Sequence, residues 1–177
     1  MKGFSVIVIC LAMFSSLFAV KVTKQYQSPD PKFSVTVPEN WSITDESRGF
    51  VCLSQDAIGD EQDYYPQLFI EVIESGKDGA NVADIIDAAI ADYPEMLKGQ
   101  GYSDPVVLRS GQVTVNNRTL QALVITGMME QTEVKILQYI TTNGSDMYIL
   151  SFFVKGSDYP AQEALFTEIL HSVKIGN

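Results

Sequence analysis

Histidine and cysteine are almost missing from this chain of 177 residues, which holds one of the former and two of the latter. A single imidazole, His171, excludes any site that needs a pair, and near a predicted helix end a histidine simply favours the dipole. Cys10 and Cys52 cannot build a disulfide-stapled mini-domain. Cys52, between Val51 and Leu53, suits a buried thiol. Basic residues are also scarce, 12 Lys and Arg against 22 Asp and Glu, for a net charge of −10. An acidic surface repels phosphate backbones, which argues against nucleic acid as a partner. The acids are scattered and form no block of one sign, so solubility accounts for them. Glycine-rich phosphate loops, CxxC pairs and basic–aromatic stripes are all missing from the sequence.

What is present begins at the N-terminus. Lys2 is followed by an apolar run from Phe4 to Phe18, and Ala19 offers a small residue at a cleavage point. The run is shorter than the ~20 residues of a membrane-spanning helix, and the layout is that of a secretory signal peptide. Residues 1–19 are therefore expected to be a signal peptide and 20–177 a single mature domain, secreted or periplasmic, without a transmembrane segment once the signal is cleaved. Leu17 is large for its place three residues before the cut, which leaves an uncleaved anchor as the alternative. Cys10 follows Val8 and Ile9, where a lipoprotein signal wants a small residue, so lipid anchoring is disfavoured.

Hydrophobic periodicity predicts the elements. Phe33, Val35 and Val37 alternate with polar residues up to Pro38, and a short strand covers Gly49 to Leu53. Gln67 to Glu74 carries Leu68, Ile70 and Val72 on one face and Phe69 and Ile73 on the other, as in a central strand covered on both sides. From Asn81 to Leu97 the period becomes helical, through Val82, Ile85, Ile86, Ala89, Ile90, Tyr93 and Leu97. Pro94 is expected to kink or restart that helix, and Gly99 and Gly101 to end it. Two hairpins follow, Val106–Val115 with Thr119–Thr126 through Asn116–Asn117, and Glu133–Thr141 with Asp146–Val154 through Asn143–Gly144. A closing helix, capped by Ser157 or Asp158, has Pro160 in its first turn and an inward stripe of Ala161, Leu165, Ile169 and Val173. The expected fold is α+β: an antiparallel sheet of about six strands flanked by helices on both faces, an α/β/α sandwich.

The segment Phe33-Ser-Val-Thr-Val-Pro38-Glu-Asn-Trp41, with its alternating strand, proline and tryptophan three residues on, resembles the opening signature of the PsbP-like family. The element order is similar as well, so the resemblance spans roughly Tyr26 to Ile175. That family takes in extrinsic photosystem II subunits, DcrB-like extracytoplasmic proteins and a nuclear Ran-binding branch. The resemblance implies an accessory or binding protein without catalysis. It brings no cofactor, and no cofactor or metal ligand is carried over to residues of this chain.

Gly101-Tyr-Ser103-Asp-Pro105 has proline where a nucleophile elbow needs its second glycine. Asp56, Asp60, Glu61 and Asp63 cluster before Tyr64 and Tyr65, but Gly59 is misplaced for an EF-hand loop. A solvated acidic loop explains them, while a partner-binding surface of Asp60, Asp63, Tyr64 and Tyr65 is the functional alternative. Trp41 is expected in the core. Three glycosylation sequons start at Asn40, Asn117 and Asn143, the last two in hairpin turns. The reading is a secreted, non-enzymatic accessory or binding protein of the cell envelope, whose partner is another envelope or secreted protein. The alternatives are a small extracytoplasmic hydrolase and a ligand-binding module using the Asp56–Tyr65 loop.

Overall fold

Alternation of side chains builds most of this molecule. The computed structural model describes residues 21–29, 32–55, 65–74 and 82–176. The expected signal peptide, and Asp60, Asp63 and Tyr64 of the acidic loop, lie outside the described residues.

In chain order the elements are β1 (Val22–Gln27), β2 (Phe33–Pro38), β3 (Trp41–Ser47), β4 (Phe50–Gln55), β5 (Gln67–Glu74) and α1 (Val82–Gly99). They continue with β6 (Tyr102–Val115), β7 (Arg118–Met129), β8 (Thr132–Asn143), β9 (Asp146–Lys155), α2 (Tyr159–Ser172) and β10 (Lys174–Ile175). Seven strands form one sheet in the order β3-β4-β5-β9-β8-β7-β6, and β1-β2-β10 form a second. Every ladder is antiparallel.

This architecture corrects the expected helix-flanked sandwich of about six strands. Strands dominate, and one face of the large sheet is covered by a second sheet together with α2. There Phe33, Val35 and Val37 of β2 pack with Leu68, Ile70, Leu150, Phe152, Phe166 and Ile169. Trp41 is fully buried in this core. The other face carries α1, which packs on β6, β7 and β8. β1 and β3 escaped the sequence reading because they are edge strands, mostly exposed and polar, and so lack a buried alternating face.

The turns follow local chemistry. Asn116 and Asn117 both take positive φ, 48° and 63°, as a two-residue primed turn requires. In the second hairpin Asn143 pairs with Asp146, so the turn residues are Gly144 and Ser145, one position beyond the expected pair. Only Gly144 of these adopts a positive φ, 61°. α1 runs continuously across Pro94 to Gly99. Asp158 precedes α2 as expected but makes no side-chain capping bond. The buried face of α2 is Phe166, Ile169 and Leu170, with Val173 beyond the end, whereas Ala161 is exposed and Leu165 half-buried.

Candidate functional site

β5 was expected to be covered on both faces, and the structure covers one. Leu68 and Ile70 are fully buried, but Phe69 is half-buried and Ile73 is 36% exposed. The reason is the placement of α1, which lies over β6–β8 and leaves the outward residues of β5 and β9 as the floor of an open cleft. The cleft measures about 700 Å³.

Strand register sets this floor out in rows. Phe69 of β5 pairs with Ser151 of β9, Ser151 with Gln138 of β8, and Gln138 with Leu123 of β7. A neighbouring row runs Gln67, Phe153, Ile136 and Ile125 across the same strands. Phe50 of β4 stacks on Phe69 at 6.2 Å between ring centroids and extends the aromatic side. The opposite wall is the C-terminal half of α1, with Tyr93, Met96 and Leu97, and Gln100 just beyond its end. The helix is held over the sheet by Ile86 and Leu97, packed with Val107, Leu123, Ile125 and Ile140. An ion pair from Arg109 of β6 to Asp87, 2.5 Å, adds a tether at the surface. Tyr102 closes one end, and its ring lies where a side chain on Gly127 would stand, 3.2 Å from that Cβ position.

One polar group is set deep in this apolar surface. Gln138 is 8% exposed, and its Nε2 donates to Ser151 Oγ at 3.1 Å. Its carbonyl oxygen, Oε1, is buried with no hydrogen-bond partner, the single such side-chain atom among the described residues. Burial pushes the Tyr93 phenol up from its ordinary value, and a hydrogen bond from Gln138 pulls the other way. Glu71 is the one carboxylate in the described lining, which includes neither lysine nor arginine.

Of the residues singled out in the sequence, Tyr65 is half-buried just before β5, two positions from Gln67 of the cleft. Cys52 is buried, and burial raises its thiol pKa. His171 is exposed in the last turn of α2. Among the described residues no three His, Cys, Asp or Glu side chains gather as a metal site. Sequence reasoning missed Gln138. The available signal was a glutamine between Ile136 and Ile140 at a spacing of two, on a strand otherwise apolar toward that side.

The architecture has solved counterparts. A cyanobacterial PsbP from Synechocystis sp. matches with a TM-score of 0.61 and 15% identity, over 94% of this chain and 99% of that one. The fold is PsbP-like. LpqN of Mycobacterium tuberculosis, described as involved in cell envelope biogenesis, matches at 0.58 and 12% identity, over 86% and 90% of the two chains. The Ran-binding protein Mog1p of Saccharomyces cerevisiae matches at 0.57 and 11%, over 88% and 96%. The chain also spans half the length of a Bacteroides thetaiotaomicron protein that it matches at 0.57 and 17% identity. No protein-family model and no curated protein matches the sequence. At these identities the shared feature is the PsbP-like fold itself.

Proposed function

We propose that this protein is a secreted, non-enzymatic accessory or binding protein of the cell envelope, with residues 1–19 as its signal peptide and 20–177 as one PsbP-like domain. The observation that carries the reading is the open apolar cleft between α1 and the sheet. Its serine, Ser151, accepts from a carboxamide, a group that cannot take up a proton as a general base must. Concave apolar walls with a few fixed polar groups are the usual build of a binding site. The Phe4–Phe18 run supports the extracytoplasmic address. Two structural counterparts lend further support: one is described as a Ran-binding protein and another as involved in cell envelope biogenesis.

The protein partner is another envelope or secreted protein. Its contact surface is the loop carrying Asp60, Asp63, Tyr64 and Tyr65, because adjacent tyrosines beside carboxylates suit recognition. Affinity capture from the native envelope with wild type and with Tyr64→Ala/Tyr65→Ala tests this. One specific protein should be retained by wild type, and the variant should lose capture far more than it loses melting temperature. A fall in melting temperature with capture by the folded fraction preserved would make the tyrosines structural and remove the loop from the reading. N-terminal sequencing of exported protein should begin near Val20, and a sequence starting at Met1 would favour the anchored form.

A further inference from the structure

We propose that the α1–sheet cleft is a binding site for a small uncharged molecule with a ring-bearing apolar body and one hydrogen-bond donor, which it gives to Gln138 Oε1. The proposal deepens the binding role argued above, but it concerns a small ligand and stands apart from the protein partner. Three features of the cleft specify the ligand.

Size and lining come first. A volume of about 700 Å³ falls within the roughly 300–1,000 Å³ of small-molecule pockets. The walls bring Phe50, Phe69 and Phe153 from the sheet against Tyr93 and Met96 from the helix. Aromatic faces suit a flat apolar body through offset stacking. Methionine adapts its shape to whatever lies against it. Met96 is 46% exposed and Ile73 36%, so apolar surface continues to the mouth.

Polarity comes second. A buried carbonyl oxygen without a partner costs free energy, which a donor arriving with the ligand recovers. The carboxamide is already oriented, because its Nε2 is engaged with Ser151 Oγ on the paired strand. Oε1 is the one buried side-chain polar atom among the described residues left without a partner, and a donor on the ligand satisfies it.

Charge comes third. The described lining has Glu71 and no cation, on a chain of net charge −10. A carboxylate, sulfonate or phosphate on the ligand would lose hydration without finding a counter-ion. Anionic amphiphiles are disfavoured for that reason.

A matched set of fluorescent probes tests all three features on the mature protein. N-phenyl-1-naphthylamine is uncharged and carries one N–H. Its N-methyl derivative has the same rings without the donor, and 1-anilinonaphthalene-8-sulfonate adds a negative charge. The first should bind saturably at one site, about tenfold more tightly than the N-methyl derivative, the factor expected of one hydrogen bond. Gln138→Leu should remove that tenfold difference while leaving the N-methyl derivative bound as before. The sulfonate should bind more weakly than the uncharged parent, and Glu71→Gln should narrow that gap. Equal binding of the N–H and N-methyl probes to wild type would overturn the proposal even if Gln138→Leu failed to fold. So would the absence of saturable binding to folded protein. Partner capture through the Tyr64–Tyr65 loop is read separately, so either result can fail while the other stands.

Discussion

Asn116, at the tip of the β6–β7 hairpin, donates its side-chain amide to the Val173 carbonyl at 2.7 Å, tying that tip to the end of α2. The same amide reaches the His171 carbonyl at 3.3 Å. The last carbonyls of a helix have no partner within it, so a donor from elsewhere satisfies them. Asn116 also holds a positive φ of 48°, which asparagine tolerates better than most residues. One residue thus serves the turn and the helix end together.

Asn116→Ala should therefore lower stability by about 1–3 kcal/mol, combining lost hydrogen bonds with strain at positive φ. Asn116→Gly separates the two contributions, since glycine accepts the backbone angle and loses only the amide. Chemical denaturation of both variants measures the difference. Equal losses would mean that the backbone angle contributes nothing and the capping contact carries the whole effect.

The inward face of α2 gives a second prediction. Phe166 is 2% exposed and its ring lies 4.9 Å from that of Phe152. Phe166→Ala should cost about 3–5 kcal/mol, as for other fully buried aromatics. Ala161→Ser, on an exposed position, should stay within about 0.5 kcal/mol. The expected stripe of 161, 165, 169 and 173 would have assigned those costs the other way round at the helix start.

That reversal shows how far the sequence could be read. Strict i+4 spacing drifts around a helix, so a stripe traced through Ala161 and Leu165 leaves the core face, while Phe166 and Leu170 sit on it. The hairpins were legible because turn chemistry is local, and Asn116–Asn117 need nothing beyond their own backbone angles. β5 was legible as a strand with two apolar faces. What covers those faces depends on where α1 lands, and no local pattern records that. The cleft is assembled from β4, β5, α1, β6, β7, β8 and β9. Its apolar residues are of the same types as the core, which hides it from composition and periodicity. The acidic loop attracted attention because its residues are unusual in sequence, and Tyr65 is its one described member among the four nominated.

Cys52 supplies a third prediction. The thiol is buried in β4, and burial, the largest influence on it, raises its pKa. Both effects lower the concentration of accessible thiolate, the reactive species. A disulfide reagent at pH 8 should label the native protein slowly and the guanidinium-unfolded chain completely. Rapid stoichiometric labelling of folded protein would contradict the burial of this thiol.

Alkaline pH should weaken the fold through its tyrosines. Burial pushes the Tyr159 phenol up to about 12, helped by its hydrogen bond to Glu163 and by that carboxylate's charge. The bond measures 2.9 Å. Tyr26 moves in the same direction, first by burial and then through its bond to Glu46. Tyr139 and Tyr148 are raised by burial as well. In the unfolded chain a tyrosine ionises near 10, so the unfolded state loses its protons first as pH rises. The stabilisation is then fully present below about pH 10 and is lost progressively as pH climbs through the folded values. Raised tyrosines thus contribute a flat profile from pH 7 to 9 and a falling one above 10. Tyr159→Phe should reduce the steepness of that fall, because phenylalanine has no proton to lose. Denaturation midpoints across this range, alongside tyrosinate absorbance of the folded protein, provide the measurement. An unchanged slope in Tyr159→Phe would show that its phenol ionises in the folded state as readily as in the unfolded one.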